Sequence, residues 1–144
     1  MNAFKKRGLQ QYGSVAVSSE ADFATPHRLV QMLMEGVLDK VAAAKGYMLR
    51  NEIAAKGEHI SWAVSIIGGL REALDFENGG EIARNLDDLY EYMSRRLVEA
   101  NVSNDAAILD EISSLMLEIK SGWDVMPENV MRAKNNAGEA VSAE

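Results

Sequence analysis

The feature that most constrains this chain is a spacing of three and four between apolar residues. It recurs through the long stretch between the two prolines, Pro26 and Pro127. Apolar residues at this spacing share one face of an α-helix. The alternation of apolar and polar residues that marks a half-buried strand does not occur between the two prolines. The sequence therefore predicts an all-α protein.

The first predicted helix runs from about Thr25 to Arg50. Thr25 is a good N-cap, and Pro26 stands at the first helical position, where its missing N–H costs nothing. The second predicted helix runs from about Ile53 to Phe76. The letters "ENGG" are expected to end it, because Asn and Gly tolerate the positive φ that a helix C-terminus often needs. The predicted seams are Leu29, Leu33, Val37, Val41, Ala44 and Met48, then Ile60, Ala63, Ile67, Leu70 and Leu74.

The third predicted helix continues to about Ala100, and "NVSND" makes the next turn with Ser103 or Asn104 as the cap. The fourth ends near Gly122 or soon after Trp123. Short turns between helices of this length favour an antiparallel up-down-up-down four-helix bundle. We expect a short N-terminal arm at 1–24, one bundle domain at 25–124 and a disordered tail at 125–144. The predicted seams are Ile82, Leu86, Leu89, Met93 and Leu97, then Ile108, Ile112, Leu115 and Ile119.

Composition excludes several classes of function. The 144 residues include no cysteine, which removes disulfides, thiolate catalysis and sulfur-ligated metals and fits a cytoplasmic protein. The formal charge of −7 disfavours nucleic acid as a partner. No apolar run is long enough for membrane insertion, and "MNAFKKRGLQQYG" lacks the apolar stretch of a secretory signal.

No pattern in the sequence supports an enzyme, a cofactor or a metal site. His27 and His59 lack the Glu-x-x-His spacing of di-iron bundles and are interpreted as solvated surface residues. No glycine-rich phosphate-binding motif is present. Gly68 and Gly69, inside the second helix, are expected to let a neighbouring helix approach closely.

The helices carry more apolar residues than one seam each needs. Met34 belongs to a second stripe on the first helix, and Met32 lies on another face. Trp62 and Ile66 lie outside the seam of the second helix, as Leu109, Met116 and Trp123 do on the fourth. We interpret this surplus as a groove for an amphipathic helix of another protein, which methionine side chains suit. Homodimerisation is the competing explanation.

Particular residues resemble one family. The stretch "ENGGEIARNLDDLYEYMSRRLVEAN", between Glu77 and Asn101, is similar to the signature of the flagellar secretion chaperones called FliS. The stretch "TPHRLVQMLMEGVLDKVAAAK" is similar to the first long helix of that family, with Met34 where the family usually has tyrosine. Tyr12 matches the tyrosine common in the family's N-terminal arm. The resemblance covers about residues 9 to 123.

This resemblance implies a non-enzymatic chaperone of flagellin. Such proteins bind the disordered C-terminal segment of flagellin in the cytoplasm, prevent premature polymerisation and deliver it to the flagellar type III export apparatus. The chain would be a monomer or weak homodimer, and the alternative function is a structural or regulatory helical dimerisation module.

Tyr90 and Tyr92 point to different faces, and Arg95 and Arg96 are expected to pair with nearby acids. The predicted partner-binding residues are Leu9, Tyr12, Leu29, Met32, Leu33, Met34, Trp62 and Ile66.

Overall fold

The computed structural model describes residues 24–126, and within that range every regular element is an α-helix. Helix α1 packs against α2 and α4, and α3 packs against the same two helices. Short turns join consecutive helices, so the described residues form the predicted antiparallel up-down-up-down bundle. The predicted arm and tail lie almost wholly outside the described residues and stay predictions. The helices are α1 Pro26–Leu49, α2 Ile53–Glu72, α3 Phe76–Ser103 and α4 Ala106–Asp124.

Side-chain caps fix three of the four helix starts. The Thr25 hydroxyl accepts from the Arg28 amide at 3.1 Å, as predicted for α1. Asp75 caps α3 by accepting from the backbone N–H of Asn78 at 3.1 Å and from its side-chain amide at 2.7 Å. Asp105 caps α4. The prediction of Ser103 or Asn104 as that cap was wrong, because Asn104 adopts φ 55° and ends α3 instead.

The glycine pair does not end α2, contrary to the prediction. Helix α2 ends at Glu72, and the segment with both glycines lies in the opening turns of α3. Gly80 adopts φ 50° and ψ −125°, which kinks α3 one turn after its start. This backbone conformation is open to glycine and strained for residues with a Cβ. The chain therefore reverses before Phe76 and is re-aimed at Gly80.

The core seam of α3 differs from the predicted one. Tyr90, Met93 and Leu97 are buried, and Ala83 and Ala100 extend the buried row in both directions. Ile82, by contrast, is 66% exposed and Leu89 is 37% exposed. Both were predicted as core, so this part of the prediction was wrong. The placement of Tyr90 and Tyr92 on different faces is confirmed, since Tyr92 is only half-buried.

Much of the apolar surplus is absorbed by the bundle. Met34 and Ile66 are at most 1% exposed, and Leu109 and Met116 are fully buried. The expectation that these residues lie outside the seam was wrong, because each inner helix face is wide enough to bury neighbouring stripes together. A Cβ at Gly69 would lie 3.9 Å from the Leu33 methyl carbons, which is an ordinary van der Waals distance. Alanine would therefore fit at this position, and the close helix approach predicted for the glycine pair stays a prediction.

A reciprocal contact ties the start of α1 to the end of α4. His27 Nε2 donates to the Trp123 carbonyl at 2.9 Å, and Trp123 Nε1 donates to the His27 carbonyl at 3.0 Å. The two rings stack with centroids 5.2 Å apart. His27 is only 6% exposed, so its interpretation as a solvated residue was wrong. Its side chain helps to close the bundle.

Candidate partner-binding surface

The structure brings the described members of the predicted site together on α1 and α2. Trp62 is half-buried and is the member with surface left for a partner. The others lie in the core of the described chain, so a partner would reach them only if the α1–α2 contact changed. Leu9 and Tyr12 lie outside the described residues. The predicted set therefore stays a prediction; its buried members are Leu29, Met32, Leu33, Met34 and Ile66.

The exposed apolar residues point to a second surface, between α3 and α4. The α3–α4 contact is the least extensive of the four between neighbouring helices. Its register is fixed by Glu111, which accepts from Tyr92 Oη at 2.6 Å and from Arg96 Nε at 3.0 Å. Because α3 and α4 are antiparallel, moving toward the end of α4 from Glu111 corresponds to moving toward the start of α3 from Tyr92. In this register Leu115, four residues after Glu111, lies opposite Leu89.

Five apolar side chains lie along the α3–α4 contact between Glu111 and the kink in α3. Ile82, Leu86 and Leu89 share one face of α3 because they are four and three residues apart, and Leu115 and Ile119 share one face of α4 because they are four apart. Ile82 and Leu89 are exposed, whereas Leu86, Leu115 and Ile119 are partly buried and pack against the core. Gly122 follows on the same side of α4, and a Cβ there would meet no atom within 4 Å. We call this surface the α3–α4 groove; it consists of Ile82, Leu86, Leu89, Leu115 and Ile119.

Charged and polar groups close one end of the α3–α4 groove. The hydrogen bond from Tyr92, followed by those from Arg96, lowers the pKa of Glu111 below its ordinary value. The same bond raises the pKa of Tyr92. Arg96 also binds Glu99 at 2.8 Å, and Arg95 binds Glu91 at 3.5 Å. The predicted pairing of the arginines with nearby acids is thus confirmed. The α3–α4 groove is lined by apolar residues and ends at the charged and polar side chains around Glu111.

An aromatic strip lies on the opposite side of the bundle, where α1 meets α2. Lys40 Nζ sits 3.6 Å from the Trp62 ring centroid, within the range of a cation–π contact. The His59 ring lies 5.9 Å from Trp62 and 4.9 Å from Tyr47. His59 Nδ1 donates to the Ala55 carbonyl at 2.8 Å, so this half-buried histidine belongs to the strip rather than to open solvent. We call Lys40, Tyr47, His59 and Trp62 the Trp62 strip.

A hollow of about 570 Å³ opens where α2 ends and α3 begins. Arg71 and Asp87 line it and bind each other, with Nε and Oδ1 2.7 Å apart. The hydrogen bond from Arg71 lowers the pKa of Asp87, so the carboxylate serves an ion pair. Its lining includes the carboxylates of Glu72 and Asp87 but no serine, threonine, lysine, tyrosine or histidine. Residues 24–126 also contain no group of three or more metal-ligating side chains and no helix able to cross a membrane.

Sequence reasoning assigned the groove residues to the core and thereby missed this surface. A signal was available along the same faces. On α3, Ile82, Leu89 and Arg96 follow one another at intervals of seven residues. On α4, Leu115 is preceded by Glu111 and followed by Gly122. When residues on one helix face change along the helix from apolar to charged or to glycine, that face lies at the edge of the core rather than in its centre.

The described residues define a four-helix bundle with exposed and partly buried apolar side chains along the α3–α4 contact. The sequence matches the family described as "Flagellar protein FliS" over residues 8–130. It is 55% identical over 121 residues to "Flagellar secretion chaperone FliSB" of Pseudomonas aeruginosa, covering 84% of this chain and 96% of that one. The "Flagellar secretion chaperone FliS" of Vibrio cholerae is 43% identical over 119 residues, with coverages of 83% and 88%.

More distant relatives agree with this assignment. The "Flagellar secretion chaperone FliS" of Bacillus subtilis is 28% identical over 115 residues, which is 80% of this chain and 85% of that one. The chain belongs to the FliS family of flagellar secretion chaperones.

Proposed function

We propose that this protein binds the C-terminal segment of flagellin in the cytoplasm, prevents its premature polymerisation and delivers it to the flagellar type III export apparatus. Membership of the FliS family supports the proposal, as do the relatives named flagellar secretion chaperones. The structural observation that carries it is the α3–α4 groove. Its apolar residues are held half-open on a folded bundle and present the surface that the apolar face of a helix needs.

The mechanism is folding on binding without catalysis. A segment that is disordered in the cytosol becomes helical as its apolar face enters the groove, where Ile82 is 66% exposed before binding. Ordering the segment costs on the order of 2–5 kcal/mol of the gross interaction energy. The net affinity is therefore moderate for the area covered, which suits a complex that must later be dismantled for export.

The Trp62 strip extends the proposed site to the opposite side of the bundle. Segments that fold on binding can wrap large surfaces. A segment that leaves the α3–α4 groove would meet Trp62 by passing around the bundle. We retain the predicted residues Leu9, Tyr12, Leu29, Met32, Leu33, Met34, Trp62 and Ile66 as part of this proposal, with Trp62 as the contact open to a partner.

The test is isothermal titration with a peptide from the C-terminal end of flagellin of the same organism, followed by circular dichroism. We expect saturable 1:1 binding and a gain in helix. Ile82→Asp should weaken binding by placing a charge in the groove, and Gly122→Leu should weaken it by filling the open end. The matched control is Leu117→Asp, because Leu117 is 56% exposed on another face of α4.

Two results would contradict the proposal. A folded protein that binds no flagellin peptide has a different client. If Leu117→Asp weakens binding as much as Ile82→Asp does, the loss reflects added charge and the groove is not the site. Thermal melts of each variant establish that the bundle is intact.

A dimerisation module is the second candidate, because the same uncovered leucine and isoleucine side chains could pack against a second copy. Sedimentation equilibrium separates the two functions. A tight dimer that persists when flagellin peptide is added, and that Ile82→Asp dissociates, favours dimerisation.

A further inference from the structure

The indole N–H of Trp62 is a buried donor without an acceptor. Its nitrogen is shielded from solvent and has no hydrogen-bond partner within the described part of the chain. Buried donors in folded proteins are nearly always paired, and leaving one unpaired destabilises the fold. The packing around the ring does not need this N–H, since Lys40 and His59 contact the ring itself. Phenylalanine would keep those contacts and leave no donor unpaired.

Trp123 provides an internal comparison. It too is half-buried, but its Nε1 donates to the His27 carbonyl at 3.0 Å. Its stacked contact with His27 and its hydrogen bond both serve the fold. One of the two tryptophans thus has its donor satisfied by the bundle, and the other has a donor that the described bundle does not use.

We propose that binding of the segment displaces the groups that shield Trp62 Nε1, and that this nitrogen then donates a hydrogen bond to an oxygen acceptor of the segment and thereby fixes the segment's register on the Trp62 strip. This inference rests on the proposed function and assigns a specificity-determining residue within it. A helix offers such acceptors as side-chain carboxylate or amide oxygens and as the carbonyls of its last turn. Lys40 Nζ, 3.6 Å from the ring centroid, favours a carboxylate among these.

An unmet donor gives register selection a physical basis. A segment that places an apolar group against Trp62 leaves the donor unpaired, whereas a segment that places an oxygen there gains a hydrogen bond. Sites that hydrogen-bond a particular group reject analogues that lack it more strongly than apolar pockets reject a change of size. The apolar groove can then supply affinity for many amphipathic helices while Trp62 discriminates among them and among their registers.

The experiment follows the two indole protons by ¹⁵N–¹H correlation spectra of the full chain labelled at tryptophan. Trp123→Phe assigns the two resonances. On addition of the flagellin C-terminal peptide, we expect the Trp62 indole proton to move downfield as its hydrogen bond forms. The Trp123 indole proton, already bonded to His27, should change little.

Conservative substitution provides the second measurement. Trp62→Phe removes the N–H and keeps an aromatic ring, so peptide affinity should fall by about 2- to 10-fold for a neutral acceptor and by about 10- to 100-fold for a carboxylate. The same variant should leave the free protein at least as stable as the original. Trp123→Phe should lower the melting temperature. A purely structural role for Trp62 would instead lower stability and leave affinity unchanged.

Peptide variants locate the acceptor. Each Asp, Glu, Asn or Gln of the peptide is changed to alanine in turn and titrated against both the original protein and Trp62→Phe. One peptide variant should bind the original protein more weakly than the unchanged peptide does. The same variant should bind Trp62→Phe about as well as the unchanged peptide does, because the two changes remove the same hydrogen bond.

The outcomes distinguish this inference from the proposed function. Absence of peptide binding to the original protein overturns the proposed function and this inference with it. Peptide binding that leaves the Trp62 indole proton unmoved, with Trp62→Phe binding equally well, overturns this inference alone. A Trp62 indole proton that resonates as far downfield as that of Trp123 in the free protein also overturns it, since the donor is then hydrogen-bonded within the chain.

Discussion

Replacement of Gly80 by alanine tests the backbone geometry at the start of α3. Gly80 has φ 50° and ψ −125°, a conformation that alanine adopts only under strain. A Cβ at this position would meet no atom within 4 Å, so the substitution adds strain without a steric clash. Residues held in such sparsely populated regions cost about 1–3 kcal/mol. We expect Gly80→Ala to lower the free energy of unfolding by that amount.

Gly122→Ala is the matched control, because a Cβ there also meets no atom within 4 Å. Gly122 lies in α4 with helical backbone, where alanine is preferred over glycine by about 0.5–1 kcal/mol. The same chemical change should therefore stabilise the protein at this position. Gly79→Ala is a third case, since its Cβ would lie 2.8 Å from that of Ala83 and should destabilise through a clash.

Thermal and urea unfolding, followed by circular dichroism at the helix minimum, measure these differences. For a domain of this size, 1 kcal/mol corresponds to a melting shift of about 4 °C. The Gly80→Ala and Gly122→Ala proteins should then melt roughly 6–16 °C apart, on opposite sides of the original protein. If Gly80→Ala melts at or above the original temperature, the positive φ is not required and the kink has another cause.

Two further predictions concern stability. Met93→Ala should lower the free energy of unfolding by about 2–5 kcal/mol in urea titrations because the side chain is fully buried, whereas Leu117→Ala, on an exposed position, should change it by less than about 0.5 kcal/mol. The lowered pKa of Glu111, caused first by the hydrogen bond from Tyr92, should make stability depend on acid pH. Its contribution is fully present above the ordinary glutamate pKa of about 4.3 and is lost as pH falls through the lower folded value. Urea titrations across that range should show a weaker fall for Glu111→Gln, and an unchanged pH profile would contradict the assignment.

The start of α1 could be predicted because its signals are local. Thr25 and Pro26 act within the first turn, and neither depends on another helix. The boundary between α2 and α3 could not be placed correctly, since two local signals compete there. The glycine pair is typical of a helix end, while Asp75 three residues before Asn78 is typical of a helix start. In the structure the cap prevails, and Gly80 is used inside the helix that follows.

The core of α3 was harder to predict because two faces share residues. Met93 and Leu97 fit the predicted row through Leu89 and the observed row through Tyr90 equally well. Periodicity identifies the residues that share a face, but it does not give the distance to the neighbouring helix. Leu89 remains 37% exposed because α4 does not cover it, and that depends on the α3–α4 contact rather than on the sequence of α3 alone.

Stability and the proposed binding depend on different ends of the α3–α4 contact. Glu111, bonded to Tyr92 and Arg96, holds the two helices together at one end. At the other end Ile82 is exposed, and a Cβ at Gly122 would meet no atom within 4 Å. Changes at Ile82 should therefore alter affinity more than stability, and changes at Glu111 should do the reverse. Because the two ends share no contact, Glu111→Gln and Ile82→Asp should be additive in unfolding free energy within about 0.5 kcal/mol. Strong coupling between the two substitutions would mean that the packing around Ile82 depends on the hydrogen bonds of Glu111. The geometry of the α3–α4 groove would then depend on both ends of the α3–α4 contact.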